Sequence, residues 1–137
     1  MLVLCLETGL ILAVYCSKGT KHDFQMYKDF TKKGNLKIHP NIKILADSGF
    51  QGLQKLHKKV ELPFKKSKKN PLTTEQKEHN RQLAQKRVKI EHKNRQCKIF
   101  RIVKETYRGK HKNYGLNWNL VVGLVNFRTA TAHFNQI

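Results

Sequence analysis

The sequence predicts an α/β fold, and three observations carry that prediction. Two short apolar runs, residues 2–6 and 10–15, flank Glu7, Thr8 and Gly9, which is the pattern of a tight hairpin. Residues 42–46 form a third, mostly apolar run that leads directly into Asp47, Ser48 and Gly49. Most of the remaining chain has helical periodicity, above all residues 73–108 and 114–127.

In chain order, the opening hairpin reads as two strands largely buried on both faces. Buried strands need neighbours on their edges, so the chain reads as beginning in the middle of a sheet. A polar turn with Gly19 follows, and His22 and Asp23 open a short helix through Phe30. Asp23 suits a first-turn acid or N-cap there. Phe24, Tyr27 and Phe30 share one face, which is simplest as core packing. The strand at residues 42–46 then places Asp47 at its carboxyl end, where α/β sheets hold ligands. Asp47 equally suits a helix-capping Asx turn. Gly49 is expected to turn the backbone into a helix at residues 51–59, packing through Leu53, Leu56 and Val60.

Seven lysines fall between Lys55 and Lys69. The basic stretch at residues 55–72 reads as a mobile solvated loop that can track phosphates. Thr73 and Gln76 then form a capping-box pair, opening a long helix over residues 73–108. Its first half is polar, whereas Ile90, Cys97, Ile99, Phe100, Ile102, Val103 and Tyr107 make a wide stripe that requires packing. Gly109 is a candidate C-cap. Residues 114–127 have strand-like composition in part, but Leu116, Leu120, Leu124 and Phe127 favour a helix. Trp118 there reads as an anchor against the sheet.

With 137 residues the chain is one domain or part of one. The net charge of +19 calls for a polyanionic partner. Nucleic acid is favoured over a membrane surface, because the cations are not confined to one polar face opposite an apolar one. No stretch reaches membrane-spanning length, and the first 16 residues lack the basic start of an export signal. Cys5, Cys16 and Cys97 show no paired ligand spacing and read as reduced, mostly buried thiols of a cytosolic protein. The seven histidines are scattered, so no zinc site is expected.

The residues with chemical potential lie on the long helix. Arg87, Glu91 and Lys98 are separated by four and seven residues, so they leave one helical face. Glu91 is the anion in a row of cations formed by Lys86, Arg87, Lys89, Lys93 and Arg95. A helical Glu in such a place often only offsets charge. It also matches the need of a phosphodiester-cutting site, where carboxylates hold divalent metal and basic residues beside them hold the phosphate backbone. Asp47 and Glu91 would be two members of such a set, with Arg87 and Lys98 gripping phosphates.

Three motifs give the chain a family resemblance. They are KGTKHDF at residues 18–24, ADSGF at residues 46–50, and RVKIEHKNRQCK at residues 87–98. The last has an Arg, three residues, Glu, six residues, Lys pattern. Together they resemble the carboxyl-terminal half of insertion-sequence transposases of the DDE superfamily, related to the Harbinger-type enzymes. The resemblance implies a partial ribonuclease-H-like fold of hairpin, helix, strand and helices, without its first strand, over residues 1–137. It implies that Asp47 and Glu91 are the second and third catalytic, metal-holding acids, with Mg2+ or Mn2+ as cofactor. Arg87 and Lys98 become DNA-contacting or site-ordering residues, with His22 and Asp23 as candidate accessory residues, while the charge of the basic run makes Lys65, Lys66, Lys68 and Lys69 expected DNA contacts.

Two features depart from the family pattern. Ala84 stands where a Tyr is common, and the family's first Asp would lie upstream of the hairpin. A fragment of a DDE transposase is therefore expected, cleaving and joining DNA strands when intact and inactive alone. Its expected partners are transposon-end DNA and a missing amino-terminal half, in the cytoplasm and nucleoid and away from membranes. A nonenzymatic basic nucleic-acid-binding protein is the alternative, and a fold-defective reading frame a third.

Overall fold

The computed structural model describes residues 1–17, 19, 21–34, 36–67 and 71–134. Lys68 and Lys69, and Lys18 and Thr20 of the first motif, lie outside them. The α/β expectation holds, with two small two-stranded sheets and four helices among the described residues. The chain divides into two compact units. One comprises Met1–Cys16 with Val88–Ile137, and the other is Ser17–Arg87.

In the first unit, β1 (Leu2–Leu4) pairs antiparallel with β2 (Ile11–Val14), with an irregularity between Val3 and Leu4. The strands are shorter than the expected runs, and residues 5–10 make the turn, closed by the Cys5 N–H to the Leu10 carbonyl at 2.9 Å, with Gly9 at a φ of 69°. The strands are not buried on both faces: Ile11 is buried, but Leu12 is 64% exposed. The buried side is covered by α4 (His111–Phe134), whose Val121, Val122 and Val125 join Ile11, Cys97 and Val103 in one core. Leu2, Leu4, Val14 and Trp118 pack against that core, so Trp118 serves as an apolar anchor. Residues 114–127 are helical, within a helix longer at both ends. Its Leu116, Leu120, Leu124 and Phe127 are exposed, so the spacing that indicates a helix does not mark its buried face.

The expected helix over residues 73–108 is two helices. α2 (Thr74–Cys97) ends where Cys97 becomes fully buried, and the four-residue α3 (Arg101–Lys104) restarts after Phe100 takes extended dihedrals. Of the expected stripe only Cys97 and Val103 are buried, while Ile99 is 68% exposed. Gly109 lies beyond α3 and caps neither helix. Among the cysteines only Cys97 is buried; Cys5 and Cys16 are partly exposed, and all three are free thiols. Burial pushes the Cys97 thiol above its ordinary pKa.

In the second unit, α1 (Asp23–Lys32) buries Met26, Tyr27 and Phe30, with Asp23 in its first turn. β3 (Ile44–Leu45) runs parallel to β4 (Val60–Glu61), with Ile44 opposite Val60 and Leu45 opposite Glu61. Residues 51–59 are not the expected α-helix. Short 3₁₀ turns at Ser48–Phe50 and Leu53–Lys55 make the crossover. Leu53 is buried as expected, but Leu56 is 54% exposed and Val60 is in the strand. Buried His57 secures the crossover through a 2.6 Å bond between Nε2 and the Ile42 carbonyl. The Lys43 ammonium beside Glu61 holds that carboxyl below the usual carboxylate range.

Within the basic stretch, β4 and Phe64 are held by specific bonds. Phe64 is fixed to α2 by a two-way amide pair: the Phe64 N–H donates to Asn80 Oδ1 at 2.8 Å, and Asn80 Nδ2 donates to the Phe64 carbonyl at 3.0 Å. The capping box is formed as expected, with Thr73 N–H to Gln76 Oε1 at 3.1 Å and Gln76 N–H to Thr73 Oγ1 at 3.2 Å. Replacing Asn80 by Ala removes both bonds to Phe64 at an expected cost of about 1–2 kcal/mol. Limited trypsin digestion should then cut after Lys65 and Lys66 several-fold faster than in the wild type, whereas unchanged cleavage would mean that Asn80 does not restrain the loop.

Candidate functional site

Asp47 follows β3 immediately, and its carboxylate is used twice. Oδ1 accepts from the Ser48 N–H, which makes Asp47 the N-cap of the following 3₁₀ turn. Oδ2 accepts from Arg87 Nη2 at 2.8 Å, with the Asp47 side chain about half exposed and that of Arg87 a quarter exposed. The capping and ligand-end readings of Asp47 are thus compatible, because the cap occupies one oxygen and leaves the other facing α2.

Asp23 belongs to the same neighbourhood. A Cβ added at Gly49 would stand 2.9 Å from Asp23 Oδ2, closer than such contacts allow. The Asp23 carboxylate thus lies close over the Gly49 Cα, and Gly49 has no positive φ. The residue that turns the backbone is Gly52, at φ 100°, with the Phe24 ring against its Cα. α1 thus lays both Asp23 and Phe24 on the segment that carries Asp47. His22 is the exposed N-cap residue of α1 and makes no side-chain cap bond.

Glu91 lies on α2 within the other unit, exposed and without an ion pair among the described residues. Lys98 follows the last residue of α2, where its N–H still bonds the Asn94 carbonyl at 3.0 Å, so helical register extends to it. It is exposed, as are Lys65 and Lys66.

The row of cations around Glu91 separates by role. Lys89 Nζ donates to the Leu6 carbonyl at 3.0 Å, and Lys93 Nζ to Thr129 Oγ1 at 2.6 Å. Burial is the main cause that lowers the pKa of Lys93, against an opposing effect of Cys97. These two lysines are spent on the protein itself, whereas Lys86 and Arg95 remain exposed. Sequence spacing cannot distinguish the two kinds, because their partners lie on the hairpin and on α4.

No cluster of three or more His, Cys, Asp or Glu capable of holding a metal ion occurs among the described residues. The available donors are carboxylate oxygens, the hard ligands that suit Mg2+ or Mn2+. The carboxylates of Asp47 and of Glu91 are donors of this type. No helix of the described residues is long and apolar enough to cross a membrane.

Comparisons with known proteins identify the family. Residues 1–126 match the family model described as DDE superfamily endonuclease. The chain is 40% identical over 129 residues to a protein described as a probable transposase for insertion sequence element IS702, from Microchaete diplosiphon. That match covers 94% of this chain and 45% of the relative, so the chain spans about half the length of the curated protein it matches. No solved structure matches it. With nearly its whole length matched by the family model and by a 40% identical transposase, the chain belongs to the DDE superfamily endonucleases.

Proposed function

We propose that residues 1–137 form the carboxyl-terminal part of a ribonuclease-H-like catalytic domain in an insertion-sequence transposase. The observation that carries this reading is the 40% identity to the IS702 transposase across 94% of the chain. Asp47 at the end of β3 and Glu91 on α2 are assigned as metal-holding carboxylates, with Mg2+ or Mn2+ as the ion. A bound divalent ion would supply Lewis-acid stabilisation of the attacking and leaving oxygens in an in-line displacement at phosphorus.

The chain's own residues then have defined tasks. Asp47 and Glu91 contribute negative charge and hard oxygen ligands. Arg87 and Lys98 bind phosphates on either side of the attacked bond, with Arg87 also ordering Asp47. Lys65 and Lys66, with Lys68 and Lys69 beside them in sequence, bind the DNA backbone without reading sequence. Asp23 and His22 support the segment that carries Asp47. Because a two-metal site needs a further bridging acid, the chain by itself is inactive, and the first acid comes from a segment outside residues 1–137. The substrate is transposon-end DNA, and the setting is the cytoplasm and nucleoid.

The net charge of +19 favours a second reading, nonenzymatic binding to nucleic acid. The two separate in a chain joined to the upstream segment of an IS702-type transposase and assayed on transposon-end duplex. The transposase reading expects strand cleavage with Mg2+ or Mn2+ that stops when EDTA removes the metal. Tight, salt-sensitive binding without cleavage under any metal would support the binding protein and overturn the enzyme.

A further inference from the structure

The Arg87–Asp47 pair has features that a purely structural ion pair does not need. Arg87 reaches Asp47 across 40 residues of sequence and bonds it through Nη2 alone. By contrast, Arg81 grips Glu78 through both Nε and Nη2. Asp47 is also held by the Ser48 N–H on its other oxygen, so Arg87 is not its sole anchor. The guanidinium keeps further donors free for a second anion, and Asp47 remains half exposed on a strongly basic protein.

We propose that Arg87 is an exchangeable counter-ion: it competes with a divalent cation for Asp47 Oδ2 and is drawn away by a DNA backbone phosphate, so that DNA binding raises metal affinity at this carboxylate. The inference rests on the reading of Asp47 as a metal ligand. Its physical basis is that two cations cannot crowd one carboxylate oxygen without repulsion. A phosphate offers Arg87 an alternative bidentate partner. Coupling of this kind is reciprocal, so metal would equally release Arg87 toward DNA. Arg87 is then a positioning residue that sets the order in which the site assembles.

The test measures Mn2+ binding to the whole chain from the electron paramagnetic resonance signal of free Mn2+. It compares wild type, R87Q, D47N and the double variant, each with and without a short duplex whose own Mn2+ uptake is titrated separately. Gln keeps an amide donor near Asp47 while removing the charge. Without DNA, R87Q should bind Mn2+ about tenfold more tightly than wild type, and adding D47N should abolish that gain. Duplex should raise the affinity of wild type toward that of R87Q and change R87Q little.

Equal affinities for wild type and R87Q, with D47N weakening both, would overturn the exchange while leaving Asp47 a metal ligand. Weaker binding by R87Q would make Arg87 a plain support for Asp47 and also overturn it. If D47N changes nothing in either background, the metal-ligand reading itself falls, and the exchange with it. Should R87Q fail to fold, the wild-type arm decides: duplex must raise Mn2+ affinity in wild type and not in D47N.

Discussion

Replacing Glu91 by Gln, in a chain joined to the upstream segment of an IS702-type transposase, is expected to reduce metal-dependent strand cleavage at least about a thousandfold. On the proposed assignment Glu91 is a metal ligand, and Gln keeps its shape while removing the negative charge. Losing about 4 kcal/mol of metal-borne stabilisation of the transition state corresponds to that factor. Glu91 is exposed and unpaired among the described residues, so folding should change by no more than about 0.5 kcal/mol. DNA binding should hold or tighten slightly, because one anion leaves a basic surface. Single-turnover nicking of transposon-end duplex, with melting curves and binding isotherms on the same preparations, separates these effects. Cleavage that survives the substitution would remove Glu91 from the catalytic set.

The largest stability effect is expected at Asn126. Its side chain on α4 donates from Nδ2 to the Ile11 carbonyl and accepts the Ile11 N–H at Oδ1, each at 2.8 Å. Ile11 is 4% exposed, so this amide closes the open edge of β2 much as a neighbouring strand would. Asn126→Leu keeps the bulk but leaves a buried donor and a buried acceptor unpaired. At about 1–2 kcal/mol for each, the expected loss is about 2–4 kcal/mol. That is a large share of a small protein's stability. Urea unfolding should show a lower midpoint with an unchanged slope. An unchanged midpoint would mean that the β2 edge gains nothing from α4.

Asn126 shows how part of the β2 edge is satisfied: by a side chain from α4, 115 residues away in sequence. Lys89 on the Leu6 carbonyl does similar work at the turn. A single Asn in an apolar helix reads as neutral, and nothing local indicates that its amide matches a strand backbone.

The local signals in this sequence determined what local chemistry can determine. The hairpin follows from two apolar runs about a short turn that includes Gly9, the start of α2 from the Thr73–Gln76 box, and the helicity of α4 from its periodicity. Asp47 at a strand end and the motif around Glu91 were legible because residue type and spacing carry them. Tertiary structure alone decided the rest. α2 stops at the fully buried Cys97 with no Gly or Pro to mark the break. β4 is two residues long and parallel to a distant partner, so it has no periodicity of its own to read. The pairing of Arg87 with Asp47, and the use of Lys89 and Lys93 on the protein itself, depend on which charges folding brings within a few ångströms. Charge patterning supplies the cations, but only proximity assigns each a partner.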